Sequence, residues 1–133
     1  MALLVPDAGE VALLDIMLTT ATPEAQTLKL YSNNYDAVEG STDANFTECA
    51  GGGYVSKALA RATWNAASTV AGTTSKTYPA QTFNFTGAVT VVGYFIVGAT
   101  SGTIYWADRL YAGAGQAFAN GDSLTVTLKI ELA

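Results

Sequence analysis

Histidine is absent from the 133 residues. With it go the commonest general base near neutral pH and the commonest side-chain metal ligand. A single cysteine, Cys49, excludes a disulfide within the chain and any cysteine-based zinc site. A small buried apolar side chain is the reading preferred for it over a reactive thiol. Charge is scarce as well. Only 13% of residues are charged, about half the usual share, and the six basic ones (Lys29, Lys57, Arg61, Lys76, Arg109 and Lys129) form no run. A net charge of −5 without a basic cluster argues against nucleic acid as a partner, and none is expected, because phosphate binding needs grouped Lys and Arg to displace counterions. No apolar run is long enough for a membrane-spanning helix, so no membrane partner is expected. The opening MALLVPDAGEVALL has no basic start and is broken by Pro6, Asp7 and Glu10. A signal peptide is therefore not expected, and synthesis in a cytoplasm is.

What the chain does have is 50% hydrophobic residues on a background of Thr, Ser, Asn, Ala and Gly. A neutral, Thr-rich surface suits sheets, since β-branched Thr tolerates the solvent face. The strongest pair of elements runs from Val89 to Leu110, two apolar arms joined by Gly98-Ala99-Thr100-Ser101-Gly102. Val89 to Val97 is apolar on both faces, the mark of a strand covered on both sides, and the Gly/Ser/Thr linker predicts a hairpin. Asp122 to Leu132 alternates most strictly. Leu124, Val126, Leu128, Ile130 and Leu132 face one way and Thr125, Thr127, Lys129 and Glu131 the other, which reads as a central, half-buried strand. Ala25 to Asn33 alternates too, with Leu28 and Leu30 inward and Lys29 and Tyr31 outward.

Weaker signals fill the remainder. Glu10 to Leu18 fits either a helix or a strand, and the helix-averse Thr19–Pro23 run after it favours the strand. Tyr35 to Asn45 reads as a loop and Phe46 to Ala50 as a short strand. Gly51-Gly52-Gly53 is a break that supplies free backbone angles. Tyr54 to Ala62 has helical propensity but is read as a strand, and Ala66 to Lys76 as a small-residue loop or weak edge. Tyr78 to Thr86 alternates and meets the hairpin through Gly87-Ala88, which predicts a meander of three consecutive strands. The whole is expected to be all-β: an antiparallel β-sandwich, jelly-roll-like, of about eight to nine strands, with residues 1–9 as an N-terminal arm and 10–133 as one domain.

Signs of chemistry are sparse. Asp108 shares a strand face with inward Trp106 and Leu110. A carboxylate with a raised pKa is one reading; an acid at a strand end paired with Arg61 or Arg109 is preferred. The acids from Asp36 to Asp43 lack calcium-loop spacing. The triple glycine has no Lys-Ser/Thr after it, so it is no phosphate loop. No catalytic residue, cofactor or metal is expected. Tyr31, Tyr35, Tyr54, Tyr105 and Tyr111 would lie on outward faces or loops, where they form a binding surface or cap the sandwich ends.

Five motifs together carry a family resemblance: Thr22 to Asn34 (TPEAQTLKLYSNN), Phe83 to Gly87 (FNFTG), Gly93 to Phe95 (GYF), Trp106 to Arg109 (WADR) and Gly121 to Leu132 (GDSLTVTLKIEL). In these the chain resembles small structural proteins of tailed bacteriophages found among head and tail genes. The resemblance implies a non-enzymatic virion component, a capsid decoration (cement) subunit that binds the major capsid protein or another virion protein. It would be assembled in the host cytoplasm as a dimer or trimer. A receptor- or glycan-binding module of a tail or fibre is the alternative, and a small enzyme using Asp108 with Arg109 the third. The arm Met1, Ala2, Leu3, Leu4 and Val5 is expected to add a strand to a neighbour's sheet edge.

Overall fold

Helix α1 (Asp7–Leu18) is followed by β1 (Gln26–Tyr31), β2 (Lys57–Leu59), β3 (Ser68–Val70), β4 (Thr73–Asn84), β5 (Val89–Val91), β6 (Gly93–Gly98), β7 (Ile104–Arg109), β8 (Gln116–Phe118) and β9 (Ser123–Leu132). The structure is a computed structural model that describes residues 4–18 and 23–132. All the strand pairs are antiparallel. They form a sheet in the order β2-β1-β6-β7, a second in the order β3-β4-β9, and a two-stranded ribbon, β5-β8. The two sheets face each other across one apolar cluster, to which the first contributes Leu28, Leu30, Ile96 and Trp106 and the second Tyr78, Phe83, Val126 and Leu128. The architecture is an antiparallel β-sandwich.

The hairpin forms over β6 and β7, while Val89–Val91 of the expected first arm is a separate strand that pairs with β8. β6 is buried along its whole length, as its two-sided apolar run predicts. Its inner face meets the second sheet. Its outer face lies under the segment after β1, where Phe46 stacks on Phe95 with ring centroids 4.8 Å apart and Tyr31 meets Phe46 edge-on at 5.0 Å. That cover corrects the outward placement of Tyr31, which is 0% exposed. Alternation separates two faces of a strand but does not show that the second one is wet. Burying a ring of this size contributes about 2–3 kcal/mol.

Two expectations about neighbours are corrected. β4 belongs to the other sheet, so no three-strand meander forms. The chain changes sheets at Val92, between β5 and β6. The Val92 N–H donates to the Tyr31 carbonyl (2.8 Å), and its own carbonyl accepts from the Leu110 and Tyr111 N–H groups (3.0 and 2.9 Å). β9 is an edge strand and not a central one, because among the described residues it pairs with β4 alone. Period-two alternation reports one wet face and carries nothing about lateral partners.

Residues 10–18 are helical, against the strand reading. Pro6 opens α1, its carbonyl accepting from the Gly9 and Glu10 N–H groups (2.8 and 3.1 Å). Asp7 and Glu10 place negative charge in the first turn, where the helix dipole favours it. Of the weaker segments, Phe46 to Ala50 makes only an isolated bridge, Tyr31 to Glu48. Tyr54 to Ala62 is strand over Lys57–Leu59 alone, followed by a 3-10 turn at Arg61–Thr63. Ala66 to Lys76 takes the weak-edge alternative: β3 is the edge of the second sheet and joins β4 in a tight hairpin. Ala71 and Gly72 (φ 50° and 84°) make its two-residue turn, with the positive φ pair that matches strand twist. The triple-glycine break has a packing reason at Gly52, where a Cβ would meet the Gly87 and Ala88 carbonyl oxygens at 2.8 and 2.9 Å.

Candidate functional site

The free edge of β7 is covered from within the chain. Leu4 bridges Ala107 through two hydrogen bonds (Leu4 N–H to the Ala107 carbonyl 3.2 Å, Ala107 N–H to the Leu4 carbonyl 3.1 Å). Gly9 of α1 lies against the same strand so closely that a Cβ would stand 2.6 Å from the Tyr105 carbonyl oxygen and 2.8 Å from that of Ile104. The expected use of the arm is thereby corrected at Leu4, whose backbone is taken by its own β7. Val5 is half-buried against the core. Met1, Ala2 and Leu3 lie outside the described residues. Helix α1 packs with Ala12 and Ile16 on the core and leaves Val11, Leu13 and Leu14 59%, 42% and 51% exposed. Exposed apolar side chains grouped on one short helix mark a contact surface more readily than the same residues scattered.

Below the helix, the seam between β7 and β9 opens into a cleft of about 690 Å³ lined by Val5, Leu13, Tyr94, Trp106, Asp108 and Ile130, among others. A second cavity of about 230 Å³ shares Leu13, Trp106 and Ile130 and reaches Gln26. Asp108 Oδ1 and Gln26 Oε1 are buried without a hydrogen-bond partner among the described residues. The pairing expected for Asp108 is not made. Arg61 donates to the Pro23 carbonyl (3.4 Å). Arg109 ties two loops together, donating to Asp36 Oδ1 (2.8 Å), to the Tyr111 carbonyl (2.9 Å) and to the Gly113 carbonyl (2.7 Å). Loss of water around the carboxyl raises the pKa of Asp108, and the opposing interactions, the Arg109 backbone N–H among them, offset it only in part. Burial likewise raises that of Tyr94, with the Asp108 charge adding to it. Such a carboxyl holds its proton to a higher pH than usual and favours a cation, or a hydrogen-bond donor, beside it.

The five tyrosines form no common surface. Tyr31 is in the outer core cluster, where burial pushes its pKa up to about 12, and Tyr35 packs beside it with its hydroxyl 2.8 Å from Ser41 Oγ. Tyr54 is half-buried, stacked on Phe83, accepting from the Leu30 N–H (3.1 Å) and donating to Glu48 Oε1 (3.0 Å). Tyr105 is 4% exposed, a correction to its outward placement. It is the extra residue of a bulge, since Ile104 faces Val97 and Trp106 faces Ile96. Tyr111 is half-buried, its ring 6.1 Å from Phe118. Cys49 is a buried free thiol whose pKa burial pushes up to about 12, which keeps it protonated and inert near neutral pH.

One structural residue had no signal in the sequence. Glu24 clamps the β6–β7 turn, its carboxylate accepting from the Thr100 N–H (2.7 Å), the Ser101 N–H (3.0 Å) and hydroxyl, and the Tyr105 hydroxyl (3.4 Å). Its partners lie more than seventy positions away, beyond any local pattern. Among the described residues no three metal-ligating side chains come together, and no helix is long and apolar enough to cross a membrane.

Fold and site together define an all-β sandwich with a covered β7 edge, an open seam and an apolar helix at the surface. Compared with protein-family models, with curated proteins and with solved structures, the chain matches none.

Proposed function

We propose that this chain is a non-enzymatic structural subunit of a tailed-phage virion, a decoration protein that binds and stabilises the head shell. The observation that carries the reading is the uncovered apolar surface of α1 on a sandwich with few charges. Contact with a repeating shell through such a surface desolvates few ions, so association is driven by apolar burial and tolerates salt. Thr82 and Thr125 on β4 and β9, joined hydroxyl to hydroxyl at 2.9 Å, add a neutral patch to the second sheet. The phage-like motifs fall on β1, β4, β6, β7 and β9, which build the two sheets, so the likeness is one of framework. The tail- or fibre-tip alternative drew on exposed tyrosines; burial of Tyr31 and Tyr105 removes two of the five residues it used.

The double variant Val11→Ser/Leu14→Ser tests the contact. Both side chains are more than half exposed, so the thermal midpoint should move little. Occupancy on empty heads of the phage that encodes the chain should fall at least tenfold, a loss of about 1.4 kcal/mol or more of apolar contact. Unchanged occupancy would place the contact elsewhere on the sandwich and remove the main support for this reading.

A further inference from the structure

We infer that the free edge of β9 is a self-association surface, on which a second copy of this chain pairs antiparallel through a two-fold axis at Ile130. β9 is ten residues long, and its ladder groups on the side away from β4 have no partner among the described residues. A row of open N–H and C=O groups of this kind is a template for another strand. The edge facing it across the seam is defended differently, since β7 is covered by Leu4 and Gly9. Among the described residues, only the β9 edge is left both long and open.

The charges choose the partner and the register. On the solvent face of β9, Lys129 and Glu131 are neighbours, already held in one ion pair of 2.6 Å. In an antiparallel pair centred on Ile130, residue 129 of each copy stands opposite residue 131 of the other. Lys129 then meets the second copy's Glu131 twice, once on each side of the axis. Centring the pair one residue earlier sets the two lysines against each other, and centring it two earlier opposes each charge with a threonine. Opposite charges directly across an antiparallel pair stabilise it and like charges destabilise it, so the strand is self-complementary in one register. On the other face, Ile130 is half-buried at the mouth of the seam cleft beside Leu13 and Trp106. The paired Ile130 of the second copy would close that mouth with apolar surface. The three-stranded sheet would thereby continue across the axis into a six-stranded one.

This surface is independent of the phage reading, and its test needs no head or partner. The mass in solution is measured by light scattering against concentration for the native chain, for Lys129→Glu, for Glu131→Lys and for an equimolar mixture of the two variants. The native chain should be a dimer of its 13.8 kDa subunit. Each single variant turns two attractive pairs repulsive and should raise the dimer dissociation constant about tenfold. The mixture should recover the native affinity as a heterodimer, because all-acidic 129/131 then faces all-basic 129/131. A monomeric native chain at every concentration, single variants that dimerise as the native chain does, or a mixture that recovers nothing would each overturn the inference. Should either variant fail to fold by far-UV circular dichroism, amide exchange of the native chain decides it. Protection over residues 128–132, the part of β9 that this register pairs, should rise with protein concentration if the pairing is made, and protection independent of concentration refutes it.

Discussion

Glu24 shows how one carboxylate holds a turn that local residues leave loose. Gly98 to Gly102 is flexible by composition, and four donors converge on the Glu24 side chain. Partial burial would raise its pKa, but the hydrogen bonds from Ser101, Thr100 and Tyr105 outweigh it and hold the pKa below the ordinary 4.5. A lowered folded pKa means that the stabilisation is present above the unfolded value and is lost as pH falls through the folded one. Glu24→Gln should therefore lower the thermal midpoint at neutral pH, with the difference from the native chain vanishing as the pH drops below 4.5. A difference that persists at acid pH would assign the effect to shape and not to charge. Asp108 has the opposite sign. Its desolvated carboxyl has a raised pKa, so its ionisation works against the fold, and the stability it leaves intact below the ordinary 3.8 is lost as pH rises through the folded value. Asp108→Asn should raise the midpoint at neutral pH and lose that gain in acid; thermal melts across the range check it. The sequence placed Asp108 on an inward face correctly. What it lacked was the position of Arg109, whose guanidinium is drawn away by Asp36 and the Gly113 carbonyl.

At the level of elements, legibility followed period and length. β6, β7 and β9 were each readable because an apolar run or a strict alternation spans six or more residues. Helix α1 was not, since Leu14, Ile16 and Leu18 satisfy a strand period while Val11, Leu14 and Leu18 satisfy a helical one. The structure resolves that ambiguity through tertiary contact. Pro6 and the acidic first turn start the helix, and Gly9 lets it lie on the β7 carbonyls. Gly9→Ala puts a methyl group 2.6 Å from the Tyr105 oxygen, and backbone on both sides leaves nothing soft to yield. It should cost about 1–3 kcal/mol, read as a lower denaturant midpoint. An unchanged midpoint would mean that α1 does not press on β7 as described. The edge strand β3 was one of the two readings of its segment, but its tight turn into β4 was not read, for a different reason. Ala-Gly carries a weaker turn signal than Asn-Gly, and Ala71 is held at φ 50°, a conformation alanine alone does not favour.

For the whole molecule, the sandwich was legible and the site was not. Strands are local patterns, whereas the open seam, the covered β7 edge and the exposed face of α1 depend on which strands end up at the edges. Those edges also set what the protein can hold. One sheet ends at β7 under its own N-terminal segment, and the other ends at β9 with no further strand paired to it among the described residues. The sandwich spends little of its surface on charge, shows apolar side chains on α1 and buries its only thiol, the features on which the proposed decoration role rests. The deciding measurement is the uptake of the purified native chain by empty heads of the encoding phage, followed by co-sedimentation across a range of salt. Uptake that saturates at a fixed ratio of subunits to shell protein and holds at high salt is the result expected of a decoration subunit contacting the shell through apolar surface. No uptake by heads, with retention on host cells or glycans instead, would contradict it.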